Sequence, residues 1–156
     1  MAGVIFSACT TAEVALASSC EKTLIRIISS TNSAVKIKEW GCFFDGISVT
    51  ASPVTVRLCL TNSSFGSNMT AHTATRRIGP AVSKRCTVLT MNDSCEGDIQ
   101  AILATREVHP QSGYQEKFSY GDEPIIFNGT TAAGILSLMV NSPTSLNCVA
   151  EIVFEE

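Results

Sequence analysis

Charge is scarce in this chain: Asp, Glu, Lys and Arg make up 16% of its 156 residues, against about 25% in an ordinary soluble domain. Together with a mean hydropathy of +0.24, that shortage argues for apolar surface covered by another chain. Histidine is nearly absent, with only His72 and His109, and no Gly-x-Ser-x-Gly elbow accompanies either. A Ser-His-acid triad therefore has no sequence support, and His109 is the only serious candidate base. Gly-rich phosphate loops are missing as well. The seven cysteines (Cys9, Cys20, Cys42, Cys59, Cys86, Cys95, Cys148) are odd in number and contain no Cys-x-x-Cys pair. That excludes a regular disulfide framework or zinc site and leaves reduced thiols, several acting as small core hydrophobes, made in a reducing cytosol.

No run approaches the ~20 apolar residues of a membrane-spanning helix, so no membrane partner is expected. Residues 1–20 carry Ala15-Leu16-Ala17, which imitates a cleavage site. However, no Lys or Arg precedes the apolar stretch and Glu13 interrupts it, so this is not read as a signal peptide. Asp93, Glu96 and Asp98 lack the glycine and terminal Glu of a calcium loop. Neither metal nor cofactor is expected.

What is present is β-pattern. Val54, Val56, Leu58 and Leu60 alternate with Thr55, Arg57 and Cys59, the period of a strand with one face in a core. Residues 23–28 are rich in β-branched side chains, and residues 35–44 follow after a Ser/Thr/Asn turn, predicting a hairpin. Within 35–44, Val35 and Ile37 share one face while Trp40, Cys42 and Phe44 share the other. This slip predicts a β-bulge around Glu39-Trp40-Gly41. Asp45-Gly46 reads as the next turn, pairing residues 35–44 with the alternating strand at 54–60 as a second hairpin. Two strong strands close the chain, at 134–140 and 147–154, with Asn141-Ser142-Pro143-Thr144 between them as a hairpin loop. Residues 99–105 read as a strand or a short helical turn.

Eight or nine short strands without a convincing helix predict an all-β, antiparallel β-sandwich of jelly-roll type. Residues 1–22 are expected to be an N-terminal arm or first strand, and 23–156 a single jelly-roll domain with a long excursion at 61–84. The expected core comprises Ile25, Ile27, Trp40, Phe44, Val54, Val56, Leu58, Leu136, Leu138, Ile152 and Phe154. The excursion is polar and aperiodic, and loops of that length usually bind something. Its residues Met69, His72, Arg76, Arg77 and Lys84, with Arg57 and Arg85, are the candidate contact to a capsid or to a neighbouring subunit.

Charge is segregated along the chain. Between Gly46 and Asn92 there are five basic residues and no acid; from Asp93 onward ten acids face two bases. If folding preserves the segregation, one face can steer onto an oppositely charged partner or a neighbouring copy. Nucleic acid is not the expected partner, because no aromatic lies between Gly66 and Met91 to stack a base and the pI is about 5.4.

Several blocks carry a family resemblance: Lys22-Thr23-Leu24-Ile25-Arg26-Ile27, Val35-Lys36-Ile37-Lys38-Glu39-Trp40-Gly41, Phe44-Asp45-Gly46, Pro53-Val54-Thr55-Val56-Arg57-Leu58, Val108-His109-Pro110-Gln111 and Glu151-Ile152-Val153-Phe154-Glu155-Glu156. In these the chain resembles the jelly-roll decoration, or cement, proteins of tailed bacteriophage capsids. The resemblance implies a non-enzymatic virion protein made in the host cytoplasm and seated on the outer surface of the head. It further implies a homotrimer, or a related symmetric cluster, clamping adjacent copies of the major capsid protein, and no catalytic residue to carry over. A receptor- or glycan-binding head domain is the rival reading, with Tyr114, Phe118 and Tyr120 as its aromatic cluster.

Overall fold

A computed structural model of the chain describes residues 3–18, 20–47, 52–62, 69–80, 83–93, 98–127 and 134–156. The elements described are all strands, thirteen of them, numbered in chain order and arranged in two antiparallel sheets. The first sheet holds β1 (Ile5–Cys9), β2 (Val14–Leu16), β4 (Ala34–Phe44), β7 (Thr75–Ile78), β10 (Gly113–Lys117), β11 (Ile125–Phe127) and β13 (Leu146–Glu155). Its main path runs β10-β4-β13-β1-β7, with β11 also on β4 and β2 also on β13. The second holds β3 (Cys20–Ile28), β5 (Val54–Thr61), β6 (Thr70–Ala71), β8 (Thr87–Asp93), β9 (Ile99–Val108) and β12 (Ile135–Ser142), in the order β6-β8-β3-β12-β5-β9. The count exceeds the expected eight or nine because β1 and β2 lie in the residues expected to be an arm or first strand, and β6 and β7, two and four residues long, are too short to show a periodic pattern.

Three expected hairpins are absent. β3 and β4 lie in different sheets, as do β4 and β5, and β12 and β13. Each intervening turn carries the chain across the sandwich instead of folding it back beside itself. Ser29, just past β3, is fixed by donating from both N and Oγ to the carbonyl of Gly134, at 2.9 and 3.2 Å. Asp45, after β4, accepts from the backbone N and side-chain Nδ2 of Asn147 at 2.7 and 2.8 Å. The strands find distant partners: β12 runs between β3 and β5, and β13 between β4 and β1. The excursion is also not featureless. It contributes β6 to the second sheet and β7 to the first, although residues 63–68 and 81–82 lie outside the described residues.

A bulge relieves the slip in β4, one residue before the expected place. Val153 pairs with Glu39 and Phe154 with Ile37, leaving Lys38 as the extra residue. Lys38 and Glu39 both project outward, so Ile37 and Trp40 can both point into the core, at 0% and 1% exposure. The core lies between the sheets. Ile25, Ile27, Val54, Val56, Leu58, Leu136, Leu138, Ile152 and Phe154 are completely buried in it, and Phe44 packs partly buried at its margin. Each such side chain stabilises by about 1.5–3 kcal/mol. Phe154 stacks on Phe6 of β1 with ring centres 5.7 Å apart, which fastens residues expected to form an arm or first strand to the last strand of the chain. The outer face of the second sheet is also closed at its centre, where Arg26 Nε donates to Ser137 Oγ at 3.1 Å and Ser137 meets Thr61 Oγ1 at 2.8 Å.

Candidate contact surfaces

The basic candidates from the excursion gather on one flank of the sandwich. β7 is the terminal strand of the first sheet there, and all four of its residues are exposed. Arg76 Nη1 donates to the carbonyl of Pro80 at 3.1 Å. Arg77 reaches across β1 to form an ion pair with Glu151 of β13. Lys84 Nζ donates to the carbonyl of Cys86 at 2.9 Å. The backbone N–H groups of Arg85 and Cys86 both donate to the Glu156 carboxylate, at 2.8 and 2.6 Å, while the Arg85 side chain stays exposed. Met69 and His72 lie half-buried beside β6. Partial burial holds the His72 pKa down, and nearby Lys84 adds to this, so the neutral imidazole is favoured. Arg57 lies elsewhere, on the outer face of the second sheet, where it pairs with Glu21 at 2.8 Å.

The opposite flank is made by β9, terminal in the second sheet, and by β10 and β11 at the outer edge of β4 in the first. Arg106 stitches the two layers together. Its Nε donates to the Tyr114 hydroxyl at 2.7 Å and its Nη2 to Glu116 at 2.9 Å, and the Tyr114 hydroxyl donates to Glu116 at 2.9 Å. Tyr114 in turn tilts against Trp40, ring centres 5.4 Å apart. Five of the nine exposed large hydrophobics among the described residues lie on this flank: Ile102 and Leu103 on β9, Ile125 and Phe127 on β11, and Tyr120 in the loop between β10 and β11. Of these five, the sequence reading singles out only Tyr120 and does not foresee an apolar patch. The signal for Ile102 and Leu103 was the run Ile99-Gln100-Ala101-Ile102-Leu103, whose alternation fails because Leu103 is an extra residue opposite β5.

The aromatic cluster of the glycan-binding rival does not assemble. Tyr114 and Phe118 pack against the core, and only Tyr120, 95% exposed, stands free as a platform. His109, the candidate base, is exposed, and its Nδ1 accepts from the backbone N of Gln111 at 3.2 Å.

The charge segregation of the sequence survives folding as a difference between flanks. Residues 69–80 and 83–86 carry four bases and no acid, whereas residues 98–127 carry five acids and two bases. The outer face of the first sheet is instead neutralised internally. Lys38 pairs with Glu123 at 2.9 Å and with Glu155 at 2.6 Å. The Lys38 ammonium, helped by the Gly121 N–H, draws the Glu123 carboxyl down to about 2. An open cleft of about 440 Å³ lies at the end of the sandwich between Phe6, Pro80 and Arg85. Lys36 and Arg85 face Glu155 and Glu156 around it, so it presents no net charge to a ligand.

Among the described residues no group of three or more His, Cys, Asp or Glu side chains is placed to hold a metal ion, and no helix is long and apolar enough to cross a membrane. Comparison with protein-family models, curated proteins and solved structures finds no match.

Proposed function

We propose that this chain is a non-enzymatic structural protein of a tailed-phage virion. It binds the outside of the capsid as a homotrimer and cements adjacent major capsid subunits. The fold, on this reading, is a jelly roll, and two features support that: its long strands β3, β4 and β5 alternate between sheets, and the last two strands pair back with early ones. The observation that carries the functional reading is the surface. Both flanks of the sandwich end in terminal strands that bear exposed apolar side chains and uncompensated charge, a surface suited to docking on other proteins. The family resemblance of the sequence supplies the identity of the partner.

Cementing follows from mass action. A protein that binds only the assembled shell stabilises it, and a multivalent cluster gains avidity without any single strong contact. Each specific contact would bury on the order of 1,200–2,000 Å². The test is copurification with heads, followed by heat challenge of heads with and without the protein. Bound protein and later DNA release are expected; a free monomer that never binds shells would sink the proposal.

A further inference from the structure

We infer that copies of this chain meet flank to flank, with the β7 side of one molecule against the β9–β11 side of the next, so that the contacts close into a ring. The inference rests on the self-association in the reading above and assigns the surfaces that carry it.

Three observations converge. First, β7 and β9 are terminal strands on opposite flanks, and a terminal strand leaves a row of backbone donors and acceptors uncovered. β9 is ten residues long, a length that natural proteins rarely leave open to solvent. Second, the flanks are complementary in charge. Arg76 and Arg85 make no ion pair among the described residues, nor do Glu107 and Asp122 on the other side. The outer face of the first sheet differs, since its Lys38 and Arg77 are already paired within the chain. Among the described charges without an ion pair, the β7 flank keeps Arg76, Lys84 and Arg85 against Glu156, and the β9–β11 flank keeps Asp98, Glu107 and Asp122 against Lys117, so the two flanks retain opposite net sign. Third, each flank exposes apolar side chains, Ile78 at 64% on one and Ile102 and Phe127 at 54% and 57% on the other.

One molecule cannot bring its own two flanks together, because β1, β13 and β4 separate β7 from β10 in the first sheet. The contact is thus head to tail, and a head-to-tail contact whose rotation closes gives a ring. The β9–β11 flank is large enough to hold such a contact. Ten residues at about 3.3 Å each, across two layers about 10 Å apart with their side chains, present roughly 700 Å², near the ~800 Å² that one partner contributes to a standard interface.

Charge reversal tests this. Wild type, Arg76→Glu/Arg85→Glu and Glu107→Arg/Asp122→Arg are sized by light scattering and native mass spectrometry. Each double variant is expected to lose the assembly, and the quadruple variant that combines the two reversals is expected to regain it, because its flanks are again opposite in sign in a ring of any size. Glu13→Lys, on the exposed connection between β1 and β2, should keep the wild-type mass, and far-UV circular dichroism should show β structure in every variant. The wild-type association constant is expected to fall about tenfold or more from ~0.1 M to ~1 M salt, as the screening length drops from about 10 Å to about 3 Å. A wild-type oligomer indifferent to salt and to both reversals overturns this inference and leaves the cement reading standing. A wild-type monomer that also ignores heads overturns both.

Discussion

Gly41 and Gly113 face each other's neighbourhoods across the β4–β10 ladder, and alanine at the two positions should act in opposite order to the bare distances. A Cβ on Gly113 would collide with Cδ1 of Phe43, more closely than one on Gly41, which would lie 2.9 Å from the carbonyl oxygen of Tyr114. The shorter contact is the softer one. Phe43 is 47% exposed on the outer face, so its ring can move to another rotamer at a cost of about 0.5–1.5 kcal/mol. The Tyr114 carbonyl belongs to β10, whose Gln115 pairs directly with Gly41, so relief there requires moving backbone, at about 1–3 kcal/mol. Neither glycine has a positive φ, and both substitutions gain about 0.4–1 kcal/mol by restricting the unfolded chain. The net expectation is a loss of about 1–2 kcal/mol for Gly41→Ala and a change within about 0.5 kcal/mol of zero for Gly113→Ala. Urea unfolding at one fixed protein concentration reads the difference. Trp40, the only tryptophan, sits beside Gly41 at 1% exposure and reports the transition. The midpoint should fall for Gly41→Ala with the slope unchanged, and Tm should drop by about 2–4 °C per kcal/mol. If Gly113→Ala costs as much as or more than Gly41→Ala, the reasoning from backbone against side chain is refuted.

Acid should weaken the fold through Glu123. Its folded pKa is lowered from 4.5 to about 2 by Lys38, so its contribution is complete above pH 4.5 and is lost as pH falls toward 2. Glu123→Gln should flatten this part of the stability profile relative to wild type, and an unchanged acid slope would remove Glu123 as its source. The thiols should divide by burial. Cys42 is pushed well above 9 by burial and then by the neighbouring Cys148; burial pushes Cys148 and Cys86 up to about 12 and Cys59 to about 11. Among the described residues, native alkylation near neutral pH should therefore modify the exposed Cys9 and Cys20 and spare those four until denaturant is added. Peptide mapping checks this, and modification of Cys42 or Cys148 at the rate of Cys9 would contradict the packing. Cys95 lies outside the described residues.

Alternation in sequence reports which way a side chain faces, and on that point the chain was readable. Val54, Val56 and Leu58, and likewise Leu136 and Leu138, point into the core as their period demands. The break in period before Trp40 located a real bulge to within a residue. Alternation is silent about which strand lies alongside. Ser29 to Ser33 and Asp45-Gly46 have turn chemistry that serves a hairpin or a crossing between layers equally well, because both need only a change of direction. Tertiary packing chose the crossing: β12 and β13 each have partners on both sides drawn from distant parts of the chain.

The contact surfaces divide in the same way. The order of residues alone determined that charge would be sparse and sorted by sign along the chain. Only the folded sheets decided that Arg76 and Arg85 stand on one flank while Ile102, Phe127, Glu107 and Asp122 stand on the other, with Arg57 removed to a third place. The physical reason is that a side chain's direction is set by its own backbone, whereas its neighbours in space are set by long-range pairing that no local pattern encodes.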